Sequence, residues 1–228
     1  AYIALLDGDD EYLTGYIAEI CRLMEYYPSA DGYSTAFDIV NDGKRTAAPC
    51  PTAEGEINPA EEALKGRYPI IPSTATLRRE SIIRAGGFPE GMRLGEDQWL
   101  WARMMQCKMR FVFSPMSLVR YSRSAANRSA TIYRSEASEH SIEELLNDNN
   151  TQILNEYIAR IAIGKAITQS VRGGSDDARK AIEKFSFTRL SRRQLRRLKV
   201  LNALPSALRP TVDAIYRAAA WTLKKRGL

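Results

Sequence analysis

The acidic cluster formed by Asp7, Asp9 and Asp10 is the strongest candidate for chemistry in this sequence. It follows an apolar run at residues 1–6 that predicts a buried strand, and α/β proteins bind ligands beyond the carboxyl ends of their strands. Three adjacent carboxylates repel one another, and a divalent cation would relieve that repulsion. Because oxygen ligands without imidazole or thiolate partners favour Mg²⁺ or Mn²⁺, the cluster predicts a site for one of these ions. A solvated acidic turn that caps the next helix is the alternative.

Two other metal motifs can be tested against the spacing of these aspartates. An EF-hand loop starting at Asp7 would need glycine where Tyr12 stands and glutamate where Ala18 stands, so it is excluded. The haloacid-dehalogenase phosphatases also place two aspartates at a strand end, but their motif continues with Thr or Val where this chain has Glu11. A metal-dependent phosphohydrolase that uses Asp7 and Asp9 therefore stays an alternative.

A second acidic pair, Glu96 and Asp97, opens a segment of helical spacing at residues 96–107. A carboxylate can act as a general base if it lies within reach of the proton that it removes. An ordinary acidic helix start is the alternative, because carboxylates are stabilised at helix N-termini.

Four segments, in this order, resemble the family 2 glycosyltransferases, whose fold is of the GT-A type. They are residues 3–11 (IALLDGDDE, similar to the LDADD signature), 73–80 (STATLRRE, similar to the strand before the acceptor-site helix), 86–88 (GGF) and 95–103 (GEDQWLWAR, similar to GEDxxLxxR). The resemblance covers residues 1 to about 121, roughly half of the chain. Four ordered motifs are more specific than a single pair of aspartates.

The resemblance implies a role for each acidic residue. Asp9 would ligate the metal directly, Asp7 would contact the donor ribose or the metal's water shell, and Asp10 would support either role. The family inverts the anomeric configuration, so Asp97 would be the catalytic base and Glu96 would orient the acceptor or the loop. Such a transfer requires both stabilisation of the departing diphosphate and deprotonation of an acceptor hydroxyl.

Further residues near the second motif are weaker candidates. Trp99 and Trp101 could stack on an acceptor sugar, although their spacing predicts that one of them is part of the core. Arg103 could bind diphosphate oxygens or a carboxylate of the donor site. The family often has a histidine shortly after the last strand, whereas this chain has Ser122 and Ser124 there.

The function implied is transfer of a sugar from a nucleotide-sugar donor to a glycan or lipid-linked acceptor, as in surface polysaccharide synthesis. A non-catalytic module that binds a glycan or a protein partner is a further alternative. Family members have nucleoside-binding βα units before the acidic signature. We therefore expect an N-terminally truncated domain that could be inactive alone and whose donor specificity the sequence does not reveal.

The remaining pattern predicts an α/β fold with a GT-A-like mixed sheet flanked by helices, followed by a helical C-terminal region. Predicted strands lie at residues 1–6, 31–40, 46–48, 72–77 and 110–113, and predicted helices at 14–27, 59–65, 79–86, 96–107, 141–171, 175–185, 191–203 and 210–225. An Asn-Asp-Gly turn at residues 41–43 predicts a hairpin. We predict a catalytic domain at residues 1–130 and a helical, basic region at 131–228.

Composition bounds the partners and the location of the protein. A chain of 228 residues with 44% hydrophobic content can bury a core, and a single histidine excludes chemistry that needs several imidazoles. Three separated cysteines and no long apolar run predict a cytoplasmic protein. Residues 172–228 hold 15 of the 33 Lys and Arg but 4 of the 27 Asp and Glu. These basic helices predict peripheral contact with the inner face of the cell membrane, and a plain solvated helical face is the alternative. No motif for nucleic acid accompanies them.

Overall fold

The structure is a computed structural model that describes residues 1–124 and 140–225, with side chains described as far as residue 219. The chain divides into two compact units, Ala1–Leu154 and Asn155–Leu228. The predicted domain boundary at residues 130 and 131 lies outside the described residues and stays a prediction.

The first unit is built on a mixed sheet of seven strands among the described residues. The strands are β1 (Tyr2–Ala4), β2 (Glu11–Tyr12), β3 (Gly32–Asn41), β4 (Lys44–Ala47), β5 (Gly55–Ile57), β6 (Ala75–Arg78) and β7 (Phe111–Ser122). The order is β1-β6-β3-β7-β2, with β4 paired to β3 and β5 paired to β7. β3 and β7 run parallel along their whole length, and the other pairs are antiparallel. β2 pairs with residues Val119 and Arg120, near the C-terminal end of β7. The segment at residues 7–10, directly before β2, therefore lies beside that end of β7.

Successive residues of a strand point to opposite sides of the sheet, and side chains from helices pack on both sides. Val112 packs with Tyr16 and Leu23 of helix α1 (Tyr16–Tyr26) on one face. Its neighbour Phe111 packs with Trp101 on the other face, in a cluster that includes helix α4 (Glu96–Gln106). The α/β fold with a mixed sheet between helices is therefore confirmed.

Two shorter helices and one glycine complete the frame that positions the acidic residues. Helix α2 spans Pro59–Leu64 and helix α3 spans Arg79–Ala85. Gly95, directly before α4, has a φ of 85°, which glycine adopts without steric cost. The chain can therefore turn sharply there and start the helix at Glu96.

The second unit is helical, as predicted. Its helices are α5 (Gln152–Val171), α6 (Ser175–Lys184), α7 (Arg192–Ala203) and α8 (Arg209–Lys225). The polar side chains buried in this unit include Glu156 and Arg209. The Glu156 carboxylate accepts hydrogen bonds from the backbone N–H groups of Arg189 and Leu190 at 2.6 and 3.1 Å, and Arg209 donates to the carbonyl of Ser170 at 3.0 Å. No helix in the described part of the chain is long and apolar enough to cross a membrane.

Several secondary-structure predictions were wrong. Strands β2 and β5 were not predicted, and β7 extends to Ser122 whereas its predicted strand ended at residue 113. In the run at residues 1–6 the strand is β1, Tyr2–Ala4, which pairs with β6 alone among the described residues, and Ile3 is 38% exposed rather than buried. The predicted helix at 141–171 is a 3₁₀ turn, Ile142–Leu145, followed by a loop and α5. Asn147 and Asn150 explain the break, since their side chains bond the backbone at Asn149 and Leu145 and thereby compete with helical bonds.

Candidate active site

The loop that carries the acidic cluster connects β1 to β2 and is fixed by one serine of the neighbouring segment. The backbone N–H of Asp7 donates to Ser73 Oγ at 3.1 Å, and the Ser73 hydroxyl donates to Asp10 Oδ2 at 2.5 Å. Ser73 is fully buried. It therefore ties both ends of the loop to the turn that precedes β6.

Asp10 is used inside the protein. Besides the bond from Ser73, its Oδ1 accepts the backbone N–H of Ser122 at 2.8 Å, at the end of β7. Its own N–H donates to the carbonyl of Asp7 at 3.1 Å, which closes the turn. With both carboxylate oxygens engaged, we assign Asp10 to positioning the loop rather than to contact with a donor.

Asp7 and Asp9 have the opposite character. Both are exposed, and across the described residues neither side chain has a hydrogen bond or an ion pair. The pKa of the Asp7 carboxyl is raised, first because the surrounding protein removes part of its water shell, and then by the charges of Asp10, Asp9 and Glu96. These two carboxylates are therefore the ones available to an external cation or ligand.

Asp97 lies in the first turn of α4 and is partly buried. Its carboxyl pKa is raised from the ordinary 3.8 to about 6, chiefly because burial disfavours the charged form. Backbone N–H groups of Gln98 and Asp97 act in the opposite direction, and the charges of Glu96 and Asp7 raise the pKa further. Such a carboxyl exchanges a proton near neutral pH, as a general base must.

The structure thus brings the two acidic motifs to one place. The charge of Asp7 acts on Asp97, and the charge of Glu96 acts on both of them. These residues are far apart in the sequence, and the sheet joins them: β1, which leads to Asp7, pairs with β6, whose Leu77 packs with Leu100 of α4.

The two tryptophans that were predicted to bind an acceptor have different environments. Trp101 is 2% exposed and packs in the core, so we assign it to the core rather than to an acceptor site. Trp99 is partly exposed, and its indole N–H donates to Glu144 Oε1 at 2.7 Å. Glu144 also contacts His140 Nδ1 at 3.0 Å. Trp99 therefore remains a predicted acceptor contact, held in one orientation by a residue that the sequence did not single out.

The described contacts of Arg103 are with residues outside the acidic cluster. Its guanidinium donates to the carbonyl of Ala85 at 3.3 Å and to Gln106 Oε1 at 2.8 Å, and it lies 5.8 Å from the centre of the Trp99 ring. It links α4 to the end of α3 and supports Trp99. These contacts give Arg103 a structural role, and its role in donor binding stays a prediction.

A metal at this site would have few protein ligands. In residues 1–124 and 140–225, no group of three or more His, Cys, Asp and Glu side chains is arranged to hold an ion. Asp7 and Asp9 offer two carboxylates, while Asp10 is engaged elsewhere. Two carboxylates suit Mg²⁺ or Mn²⁺ where phosphate oxygens and water supply the other ligands, whereas Ca²⁺ requires more protein oxygens.

The mixed sheet between helices is an α/β fold that is shared with a protein of known structure. The crystal structure of S. aureus TarS 1-349 in complex with UDP-GlcNAc matches 96% of this chain and 68% of its own length, with a TM-score of 0.62 and 13% sequence identity. No protein-family model matches the chain, and no curated protein matches it by sequence.

Replacing Ser73 by Ala should destabilise the protein by about 1–3 kcal/mol, because it removes the buried hydroxyl that donates to Asp10 Oδ2 and accepts the Asp7 N–H. Denaturant unfolding measures the change. The matched control is Ser117→Ala: Ser117 Oγ is buried without a hydrogen-bond partner in the described part of the chain, so its removal should be neutral or stabilising. Equal effects of the two substitutions would contradict the positioning role of Ser73.

Proposed function

We propose that this chain is part of a metal-dependent, inverting glycosyltransferase of family 2 that moves a sugar from a nucleotide-sugar donor to a glycan or lipid-linked acceptor, as in surface polysaccharide synthesis. The observation that carries the proposal is that Asp97 lies within the electrostatic reach of Asp7, whose charge raises the pKa of the Asp97 carboxyl. The carboxyl with a pKa of about 6 therefore feels the charge of a loop that has two exposed carboxylates, Asp7 and Asp9. The glycosyltransferase fold and the UDP-GlcNAc bound to TarS support a nucleotide sugar as the donor.

Each acidic residue has a distinct part in this proposal. Asp97 accepts the proton of the acceptor hydroxyl, whose oxygen attacks the anomeric carbon of the donor sugar while the bond to the diphosphate breaks. One displacement of this kind inverts the configuration. The charge of Glu96 raises the pKa of Asp97, which makes the ionised Asp97 carboxylate a stronger base.

The donor side of the site is assigned to the exposed carboxylates. We propose that Asp9 and Asp7 hold Mg²⁺ or Mn²⁺, and that Asp10 keeps the loop in shape through Ser73. When bound, the ion neutralises the charge of the departing diphosphate. The charge of Asp9 is one cause of the raised pKa of Asp7, and a bound cation would relieve the repulsion between these two carboxylates.

Transfer to a lipid-linked acceptor takes place at a membrane surface. We therefore propose a cytoplasmic location with peripheral contact at the inner face of the cell membrane, through the basic helices of the second unit.

A nucleotide-sugar panel tests the function directly. The full-length protein should release nucleoside diphosphate from one member of the panel, faster with an acceptor present, and proton NMR of the product should show an inverted anomeric centre. Orthophosphate release from a phosphomonoester without any sugar transfer would instead support the phosphohydrolase. A protein that binds no nucleotide sugar at all would support the non-catalytic binding module.

A further inference from the structure

Helix α7 has an exposed face made almost entirely of cations. The helix has five Lys and Arg residues and no Asp or Glu. Its buried side consists of Leu195, Leu198 and Leu201. The opposite side is exposed and bears the residues that we call the α7 basic face: Arg192, Arg193, Arg196, Lys199 and Val200.

The cations of the α7 basic face differ from the fifth one on the same helix. Arg197 binds the buried carboxylate of Asp213, and its guanidinium lies 4.8 Å from the centre of the Tyr216 ring. Asp213 also binds Arg217 at 3.1 Å. The side chains of the four cations on the face have no hydrogen bond or ion pair to any described residue. Four charges are therefore available to a ligand outside the unit.

Their spacing makes the arrangement unfavourable for the helix alone. Arg196 lies four residues after Arg192 and three before Lys199, and like charges at these spacings repel on a helix surface. Arg192 and Arg193 also occupy the first turn, where the helix dipole disfavours cations. A ligand with many negative charges would reverse both effects.

An aliphatic side chain within the face indicates what kind of anionic ligand fits. Val200 is 57% exposed and lies one turn after Arg196, and Leu190, just before the helix, is also 57% exposed. Apolar side chains gain from the boundary of a lipid bilayer but little from the phosphate backbone of a nucleic acid. The exposed part of α7 also has no aromatic side chain on which bases could stack.

We propose that the α7 basic face binds an anionic lipid surface, with Val200 and Leu190 entering the headgroup region. The inference rests on the proposed function, because a lipid-linked acceptor would require contact with a membrane. The α7 basic face is the surface through which that acceptor would be approached. It excludes Arg197 and Arg217, whose side chains are paired with Asp213.

Vesicle sedimentation of the full-length protein tests the proposal. The protein should bind vesicles of equal parts phosphatidylcholine and phosphatidylglycerol and should not bind phosphatidylcholine alone. The variant R193Q/R196Q should lose on the order of tenfold to thirtyfold in binding, as expected for two cations at a membrane surface. The matched control is R179Q/K180Q on α6, which removes the same charge from exposed positions, where Arg179 lies beside Asp176. Its binding should change less than threefold, because its charges lie outside the α7 basic face.

Equal losses in the two variants, or no binding of the natural protein to anionic vesicles, would overturn the proposal. Val200→Ser, which leaves the charge unchanged, should also weaken vesicle binding. If it has no effect and a single-stranded oligonucleotide competes fully with the vesicles, the partner is a nucleic acid rather than a membrane. None of these measurements uses sugar transfer, so vesicle binding without transferase activity would reject the proposed function alone.

Discussion

Asp97→Asn should abolish sugar transfer and at the same time stabilise the folded protein at neutral pH. The loss of activity follows from the removal of the base, for which a fall in kcat of about 10²–10⁴ is expected. The gain in stability follows from the environment of the carboxyl, which is partly buried and lies in the field of Glu96 and Asp7. An amide of the same shape has no charge to be desolvated or repelled.

The pH dependence of this gain has a definite sign. Because the pKa of Asp97 is raised to about 6 in the folded protein from 3.8, the folded state holds this proton more tightly than the unfolded state. The protonated carboxyl therefore supports folding below about pH 4, and that support is lost as the pH rises through 6. The variant should match the natural protein in acid and exceed it above pH 6, by up to about 3 kcal/mol.

Thermal unfolding between acid and neutral pH, with a chelator present, measures the difference. Asp176→Asn is a matched control, because Asp176 is also the second residue of a helix but its side chain is 83% exposed. Removing that charge should slightly destabilise the protein through the helix dipole, by about 0.3–1 kcal/mol. If Asp97→Asn is less stable than the natural protein at neutral pH, or retains full activity, the assignment of the base is wrong.

The pH dependence of activity in the natural protein should reflect the ionisation of Asp97. The value of kcat/KM should rise with pH and level off above an apparent pKa near 6, since only the ionised carboxyl accepts a proton.

Much of the fold was predictable because it depends on local patterns. The Asn41-Asp42-Gly43 turn between β3 and β4, the glycine after α3 and the 3.6-residue periodicity of α4 are each determined within a few residues. The helical second unit follows from the same kind of signal. Amphipathic periodicity and turn residues therefore predicted the α/β class and most of the elements.

The internal roles of the acidic cluster were not predictable from the cluster itself. Nothing in its spacing shows that Asp10 turns inward while Asp7 and Asp9 stay exposed. That difference depends on Ser73, 63 residues away, and on the backbone of Ser122 at the end of β7. Only the pairing of strands distant in sequence places these groups together.

The environments of the two tryptophans were predictable only in part. Positions 99 and 101 differ by about 200° around a helix, so the sequence correctly predicted that one of them would be part of the core. Leu100 and Met104 lie on the same side as Trp101, and that neighbourhood was the available signal for the buried one. The bond from Trp99 to Glu144 was not predictable, because it depends on a segment that had been interpreted as continuous helix.

Asp9→Asn should separate metal binding from folding. Asp9 is exposed and, within the described residues, unpaired, so its neutral form should keep or slightly raise the stability by removing repulsion with Asp7. Activity should fall by about 10²–10³, the range typical when one charge-stabilising group is lost. The concentration of Mn²⁺ needed for half-maximal activity should rise.

Asp10→Asn is the informative comparison, because the two residues are neighbours and the substitution is the same. Its amide has one acceptor oxygen and so cannot accept both the Ser73 hydroxyl and the Ser122 N–H, and this variant should lose about 1–3 kcal/mol of stability. Mn²⁺ binding measured by electron paramagnetic resonance should be weakened strongly by Asp9→Asn, whereas unfolding should be altered mainly by Asp10→Asn. Full activity of the natural protein in a chelator would contradict the metal role of Asp9, and unchanged stability of Asp10→Asn would contradict the positioning role. A division of effects along these lines is expected only if one aspartate holds the loop and the other serves the ligand, because two solvated carboxylates of an ordinary turn would respond alike.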